Sequence, residues 1–208
     1  MHARIEPYGE EALLLELDEG SAVERQARLE ALASSMRDEP EVREAVVGLG
    51  NLSLLLRRGS RGRIAERLLA RLEAGQAEPV AGRTHEIPVR YDGEDLAELA
   101  ALHGLSVEEA IGLHLAPLYR VAFLGFSPGF AYLLGLDARL RTPRLERPRA
   151  LVPAGSVAIG DGFTAVYPVA SPGGWRLLGR TSSTLFDPER RTPASLATGD
   201  CVRFVRDR

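Results

Sequence analysis

The segment Ser171, Pro172, Gly173, Gly174, Trp175 carries the residue types most suited to holding a ligand. Two adjacent glycines after a proline let backbone N–H groups point into one concavity that suits an anion or a carbonyl oxygen, and Trp175 would supply an apolar wall. A tight turn with a packed Trp accounts for the same letters. A second segment, Gly125, Phe126, Ser127, Pro128, Gly129, Phe130, sets two aromatic rings on either side of a turn. Neither Ser127 nor Ser171 stands in a Gly-x-Ser-x-Gly elbow, which argues against a hydrolase serine.

His114 shares a helical stripe with Val107 and Ile111, where a hydrogen-bonded core or interface histidine and a functional one are both open. His2, His85, His103 and His114 show no metal-ligand spacing, so no protein-bound metal is expected. Asp137 and Asp161, embedded in glycine-rich sequence, have the chemistry of a general base but also suit turns. Five arginines between Arg139 and Arg149, interrupted by Pro143 and Pro148, fit a phosphate or carboxylate ligand, an acidic partner or a solvated loop. Cys201, beside Val202 and Phe204 with no cation preceding it, reads as an inert packed thiol.

Composition narrows the chemistry. The chain has 208 residues, and all 26 of its basic residues are arginine against 29 acidic ones, a formal charge of −3. Nucleic acid is therefore not an expected partner. The absence of lysine excludes a Schiff-base or general-base lysine and a phosphate-loop lysine. One cysteine excludes an intramolecular disulfide, and the N-terminal residues turn polar at once, so a cytoplasmic protein with no signal peptide and no membrane partner is expected.

The elements that would position these residues fall into two parts. Residues 12–17 read as a strand, and Ser21 with Glu24 forms a capping box opening a helix that buries Leu29, Leu32, Ala33 and Met36. Strands at 42–49 and 52–57 follow, separated by Gly50 and Asn51, then a helix from Ser60 with Ile64, Leu68 and Leu72 on one face. Residues 85–91 fit either a closing strand of this part or the first strand of the next. The stretch 74–82 is the linker candidate, giving domains at 1–82 and 83–208. Beyond it, Leu96, Leu99, Ala100 and His103 share a helical face, and Ser106 with Glu109 caps a second helix. Short strands at 119–124, 156–159, 164–167, 175–178 and 201–205 between turn-rich loops predict a barrel or sandwich.

Two blocks taken together resemble a known family. The first is Tyr119, Arg120, Val121, then Leu124 through Gly125, Phe126, Ser127, Pro128, Gly129 and Phe130, then Tyr132, Leu133, Gly135, Leu136 and Asp137. The second is Val152, Pro153, Ala154, Gly155, Ser156, Val157, Ala158, Ile159, then Tyr167, Pro168, Val169, then Ser171 to Trp175, then Gly179, Arg180 and Thr181. Their pattern is similar to the family that unites the B subunit of bacterial ATP-dependent 5-oxoprolinase, the KipI-type kinase inhibitors and the proteins called allophanate hydrolase subunit 1. The resemblance implies an α+β chain: a small N-terminal α/β sandwich-like domain followed by a cyclophilin-like β-barrel domain. It also implies one component of an enzyme, inactive alone, working with homologues of the 5-oxoprolinase C and A subunits to open the 5-oxoproline lactam to glutamate. ATP and Mg²⁺ would act at the level of the complex, with no cofactor bound tightly by this chain. The sequence departs from the pattern at Asp161, Gly162, Phe163, Thr164, where the family usually reads Gly-Gly-Gln-Thr, so a ring replaces an amide expected in a pocket wall. Leu49, Gly50, Asn51 replace a Tyr-Arg-Ser segment, and the loop after Tyr91 is shorter than usual.

A lactam carbonyl is a poor electrophile, so coupling to ATP points to phosphorylation of its oxygen before water attacks. The residues for that chemistry are not all in this sequence, and a site shared with another chain is expected. His114, Arg120, Ser171, Trp175 and Arg180 are expected to face its wall. Phe126, Ser127, Pro128, Gly129, Phe130, Pro153, Ser156, Tyr167, Gly173, Gly174 and Thr181 are the remaining substrate- or partner-site candidates; catalytic residues are not assigned. A Ser-Ser-Lys amidase cannot be assembled without lysine. The alternative is a KipI-type regulator that binds and inhibits a sensor histidine kinase, and a prolyl isomerase is suggested by fold analogy alone. The enzyme reading requires the two glycine-rich segments to line one cleft.

Overall fold

The computed structural model describes residues 3–74 and 82–207, in two compact units, Met1–Ala81 and Gly82–Arg208. Alternation builds the first. In β2 (Ala12–Leu17) and β4 (Asn51–Leu56) every second residue is buried, so Leu13, Leu15 and Leu17 lie with Leu52, Leu54 and Leu56 on one face. With β1 (Ala3–Tyr8) and β3 (Val42–Val47) these strands form an antiparallel sheet of order β1-β2-β4-β3. Helices α1 (Ala22–Arg37) and α2 (Arg61–Ala74) bring Leu29, Leu32, Met36, Ile64, Leu68 and Leu72 into the same core. The Ser21–Glu24 capping box is present. Strand β1 was not expected: Ala3 and Ile5 alternate with Arg4 and Glu6, but the pattern is short, runs into Pro7, and none of its residues is fully buried. The turn between β3 and β4 is centred on Leu49 and Gly50 rather than on Gly50 and Asn51: the Gly48 N–H donates to the Asn51 carbonyl at 2.9 Å, and Gly50 takes φ 72. The linker candidate lies, over 75–81, outside the described residues, as does His2.

The second unit is organised by a seven-stranded sheet. Its strands are β5 (Thr84–Val89), β6 (Tyr119–Leu124), β7 (Ala131–Leu134), β9 (Ser156–Gly160), β10 (Phe163–Val166), β12 (Arg176–Arg180) and β13 (Cys201–Arg206). Their order is β12-β9-β10-β7-β6-β13-β5. Residues 85–91 thus contribute to the second unit, where β5 runs parallel to β13. The two ends of this order meet: Arg90 and Arg180 exchange both backbone hydrogen bonds at 2.9 Å, closing the sheet into a barrel. Gly179 permits this approach, since a Cβ there would lie 2.2 Å from the Arg90 carbonyl oxygen. Helices α3 (Leu96–Leu102) and α4 (Val107–Leu115) pack on β12 and β13, and the Ser106–Glu109 capping box opens α4. Strand β8 (Arg149–Val152) pairs with β11 (Ser171–Gly173) as a separate ribbon. The α+β class and the barrel are as the sequence implied. Strands β7, β8 and β11 were not expected: each is only three or four residues long, and β7, though apolar throughout, follows directly on the Ser127–Phe130 turn. Among the described residues no helix is long and apolar enough to cross a membrane.

Candidate functional site

Two consecutive turns shape the first aromatic segment. The Ser127 N–H donates to the Gly125 carbonyl at 2.8 Å, closing a three-residue turn around Phe126, whose φ of 67 is the rarer, strained sign for such a turn. The Phe130 N–H then donates to the Ser127 carbonyl at 3.0 Å, with Pro128 and Gly129 (φ 77) in the positions a type II turn reserves for them. The result separates the two rings: Phe126 is 62% exposed and Phe130 only 2%.

Missing Cβ atoms seat the second segment. A Cβ on Gly173 would sit 2.3 Å from the Tyr167 hydroxyl, and one on Gly160 would sit 2.6 Å from the Trp175 ring, so Tyr167 and Trp175 rest on glycine. Phe130 meets Tyr132, Tyr167 and Trp175 edge-on at centroid distances of 5.1, 5.3 and 5.6 Å, and Phe126 meets Phe130 at 5.3 Å. These five rings, with Gly173, Gly174 and Arg144, line a cavity of about 60 Å³. Phe126 and Trp175, from the two sequence segments, therefore share one cavity. Phe163 stands behind this wall, edge-on to Tyr132 at 5.7 Å and to Phe123 at 6.2 Å, and does not line it.

Arg144 is the one cation in that lining. Its guanidinium carbon lies 5.7 Å from the centre of the Trp175 ring, and its Nε donates to the Asp161 carboxylate at 2.8 Å. Asp161, at φ 57 in the β9–β10 hairpin, donates its N–H to the Thr142 carbonyl at 2.8 Å. It is the ion-pair partner of Arg144 rather than a free base. No spacing singled out Arg144 among its neighbouring arginines.

Several expected wall residues lie elsewhere. His114 is fully buried, and its ring stacks on Phe204 at 4.7 Å. Its Nδ1 is 2.7 Å from the Tyr91 hydroxyl and its Nε2 is 2.9 Å from the Thr164 hydroxyl. Thr164 donates its only hydroxyl proton to the Ala158 carbonyl, 3.0 Å away, so Nε2 must carry the imidazole proton and Nδ1 must accept from Tyr91. Burial pushes the His114 pKa down to about 3, and the ring is neutral and structural. Arg180 sits at the barrel seam, donating to Asp92 at 2.7 Å, and Arg120 lies in β6 opposite Leu134 and Cys201; neither lines the cavity.

Other candidates act as scaffold. Gly155 donates to the Tyr167 carbonyl at 2.7 Å, Ser156 to that of Pro153 at 3.3 Å, and Thr181 to that of Gly155 at 2.8 Å, so Pro153, Ser156 and Thr181 belong to the backbone knot that holds Tyr167. Pro128 and Gly129 shape the turn. The hydroxyl oxygens of Ser127 and Ser171 are buried and have no hydrogen-bond partner among the described residues. Asp137 caps a short 3₁₀ turn (Ala138–Leu140); side-chain and then backbone hydrogen bonds from Arg139 hold its pKa at about 2. Arg149 is committed to Asp95 at 2.7 Å and Glu94 at 2.6 Å. Cys201 is a half-buried free thiol.

The cofactors implied for the complex do not fit these surroundings. About 60 Å³ is far too small for a nucleotide. A larger cavity of about 320 Å³ in the first unit is lined by the carboxylates of Glu16 and Asp18, which repel a polyphosphate, and its Arg25 donates at 2.5 Å to the Gly20 carbonyl. Among the described residues no three His, Cys, Asp or Glu side chains converge on a metal-sized site.

Residues 3–196 match the family of the carboxyltransferase domain, subdomain C and D. The chain is 46% identical over 208 residues to the 5-oxoprolinase B subunit of Escherichia coli O157:H7, covering 98% of this chain and 95% of that protein. Among solved structures, TTHA0988 superposes with a TM-score of 0.82 at 43% identity over 95% of this chain, which spans 40% of the TTHA0988 chain. The Kluyveromyces lactis urea carboxylase matches at a TM-score of 0.74 and 17% identity, over 99% of this chain and 22% of that one, a likeness of fold.

Proposed function

The chain belongs to the carboxyltransferase domain, subdomain C and D family, and we propose that it serves as the B subunit of an ATP-dependent 5-oxoprolinase, in the cytoplasm. The observation that carries this reading is 46% identity over nearly the full length of a 5-oxoprolinase B subunit. The same names favour the enzyme over a kinase inhibitor. The geometry supports a binding role rather than a complete catalytic one. The aromatic cavity is small, lined by rings and carries one cation, while neither cavity described suits a nucleotide. ATP and Mg²⁺ belong, in this reading, to homologues of the C and A subunits, where they supply activation of the lactam oxygen. This chain contributes the wall: Trp175 and Tyr167 exclude water from one side of the ring, and Arg144 fixes its orientation.

The test is 5-oxoproline-dependent ATP hydrolysis by the purified chain, alone and with the two partner subunits. Turnover is expected only from the assembled set, with glutamate formed in step with ADP. Full turnover from the isolated chain would overturn the shared site, and an assembled complex that hydrolyses no ATP with 5-oxoproline would overturn the assignment.

A further inference from the structure

The cavity between Phe126 and Trp175 has walls made almost entirely of aromatic faces and edges, and one charged group at its lining. Arg144 is anchored through Nε to Asp161 and stacked over Trp175, while its two Nη groups make no hydrogen bond or ion pair among the described residues. An anchored guanidinium with both Nη groups available is a planar fork suited to the two oxygens of a carboxylate. Asp161 already offsets part of that cation's charge, so the site suits a monoanion rather than a doubly charged phosphate. The volume of about 60 Å³ seats part of one small ring, the remainder standing at the open rim beside the exposed Phe126. Phe126, at the rim, is held at a positive φ that an aromatic residue rarely adopts, and strain of this kind collects at ligand clamps.

We propose that this cavity binds a small cyclic carboxylate, its ring against Trp175, Tyr167 and Phe126 and its carboxylate bridged by the Nη groups of Arg144. In naming 5-oxoproline as the occupant the inference rests on the 5-oxoprolinase reading; the preference for a cyclic carboxylate rests on the cavity alone. Arg144 is then the specificity-determining residue of the site. The buried hydroxyls of Ser127 and Ser171 lie in the two segments that form its walls and make no hydrogen bond among the described residues.

Trp175 is the only tryptophan in the chain, so its fluorescence reports on this cavity directly. Three probes separate charge from shape: 5-oxoproline, its neutral carboxamide and cyclopentanecarboxylate. They are titrated into the chain by fluorescence and into its complex with the C subunit by calorimetry. Saturable binding of both carboxylates is expected, with the carboxamide weaker by about tenfold or more. Arg144→Gln should weaken the carboxylates by about ten- to a hundredfold and leave the carboxamide unchanged, and Arg144→Lys should recover part of the loss. Because Arg144 is half-exposed, the folded state should survive both changes, as an unaltered thermal transition would show. Arg144-dependent binding of cyclopentanecarboxylate without binding of 5-oxoproline would keep the carboxylate site and sink the substrate assignment. ATP turnover by Arg144→Gln with an unchanged KM for 5-oxoproline would sink the site while the 5-oxoprolinase reading stood. No saturable binding of any probe, in chain or complex, would overturn the proposal.

Discussion

Acid should loosen the barrel unit through one residue. His114 is enclosed by Tyr91, Tyr119, Thr164 and Phe204, and no carboxylate reaches it. Both tyrosines are pushed above their ordinary pKa by burial and stay neutral in acid, so the imidazole titrates against desolvation alone. Its pKa falls from 6.5 to about 3 on folding. Between those values the unfolded chain binds a proton that the folded one does not, so this contribution to stability is complete above pH 6.5 and is lost progressively as the pH falls toward 3. At 1.36 kcal/mol per unit the full interval is worth about 5 kcal/mol, and the span from pH 7 to pH 4.5 about 2–3 kcal/mol. The assay is denaturant unfolding followed by Trp175 emission, which reports on the second unit, for the native chain and for His114→Gln. Glutamine offers one acceptor and one donor in place of the ring nitrogens but does not titrate. The variant should be less stable at pH 7 and should lose about 2–3 kcal/mol less than the native chain between pH 7 and 4.5. Equal losses over that interval would refute the neutral, Nε2-protonated histidine and the structural role built on it.

Gly160→Ala should drive the Trp175 ring from its seat, since the new Cβ would lie 2.6 Å from the indole; a red shift in emission with a loss of about 1–3 kcal/mol is expected, and unchanged emission would count against the packing described. Gly179→Ala should open the seam, because the Arg90 carbonyl it would strike is backbone; faster hydrogen exchange at the Arg90 and Arg180 amides is the measurement. Arg149→Met leaves the carboxylate of Asp95, 5% exposed, without its cation and should cost about 3–5 kcal/mol, whereas Arg139→Ala, at an exposed pair, should leave the melt nearly unchanged. Comparable effects in the two melts would show that Arg149 is no more structural than its neighbours.

Local chemistry was legible and pairing over distance was not. Both capping boxes depend on residues three apart, and both helices start where Ser21 and Ser106 place them. The strands visible in the sequence have an apolar run of their own, though the four-residue run of β7 was too short to stand out beside the Ser127–Phe130 turn. Strands β8 and β11 exist because each pairs with the other, so neither has a signature before the chain folds. The cavity was half legible for the same reason. Its glycine and aromatic letters sit in two recognisable segments, but the choice of Arg144 from the arginine-rich loop depends on how that loop crosses Trp175 and meets the β9–β10 turn. For His114 the helical stripe placed the residue on an apolar face, and periodicity cannot tell a face turned to a core from one turned to a cleft. Only its enclosure by Tyr91, Thr164 and Phe204 decides.

The same separation of wall and charge settles what Phe163 does. It stands where the resemblance implied a glutamine in a pocket wall, and a pocket-facing residue there would be expected to alter ligand choice. Its ring is edge-on to Tyr132 and Phe123 and does not line the cavity, so its influence on a ligand passes through the Tyr132 ring. Phe163→Gln should therefore act on packing: loss of two edge-to-face contacts costs about 1–3 kcal/mol, while the Kd for a cyclic carboxylate changes by less than about threefold. Arg144→Gln should show the reverse pattern, with affinity lost and stability kept. Measuring both variants in parallel by thermal melt and by titration tests the division. A Phe163→Gln protein that melts normally but exchanges its preference from 5-oxoproline to the carboxamide would place residue 163 in contact with the ligand, and the aromatic wall described above would have to be redrawn around it.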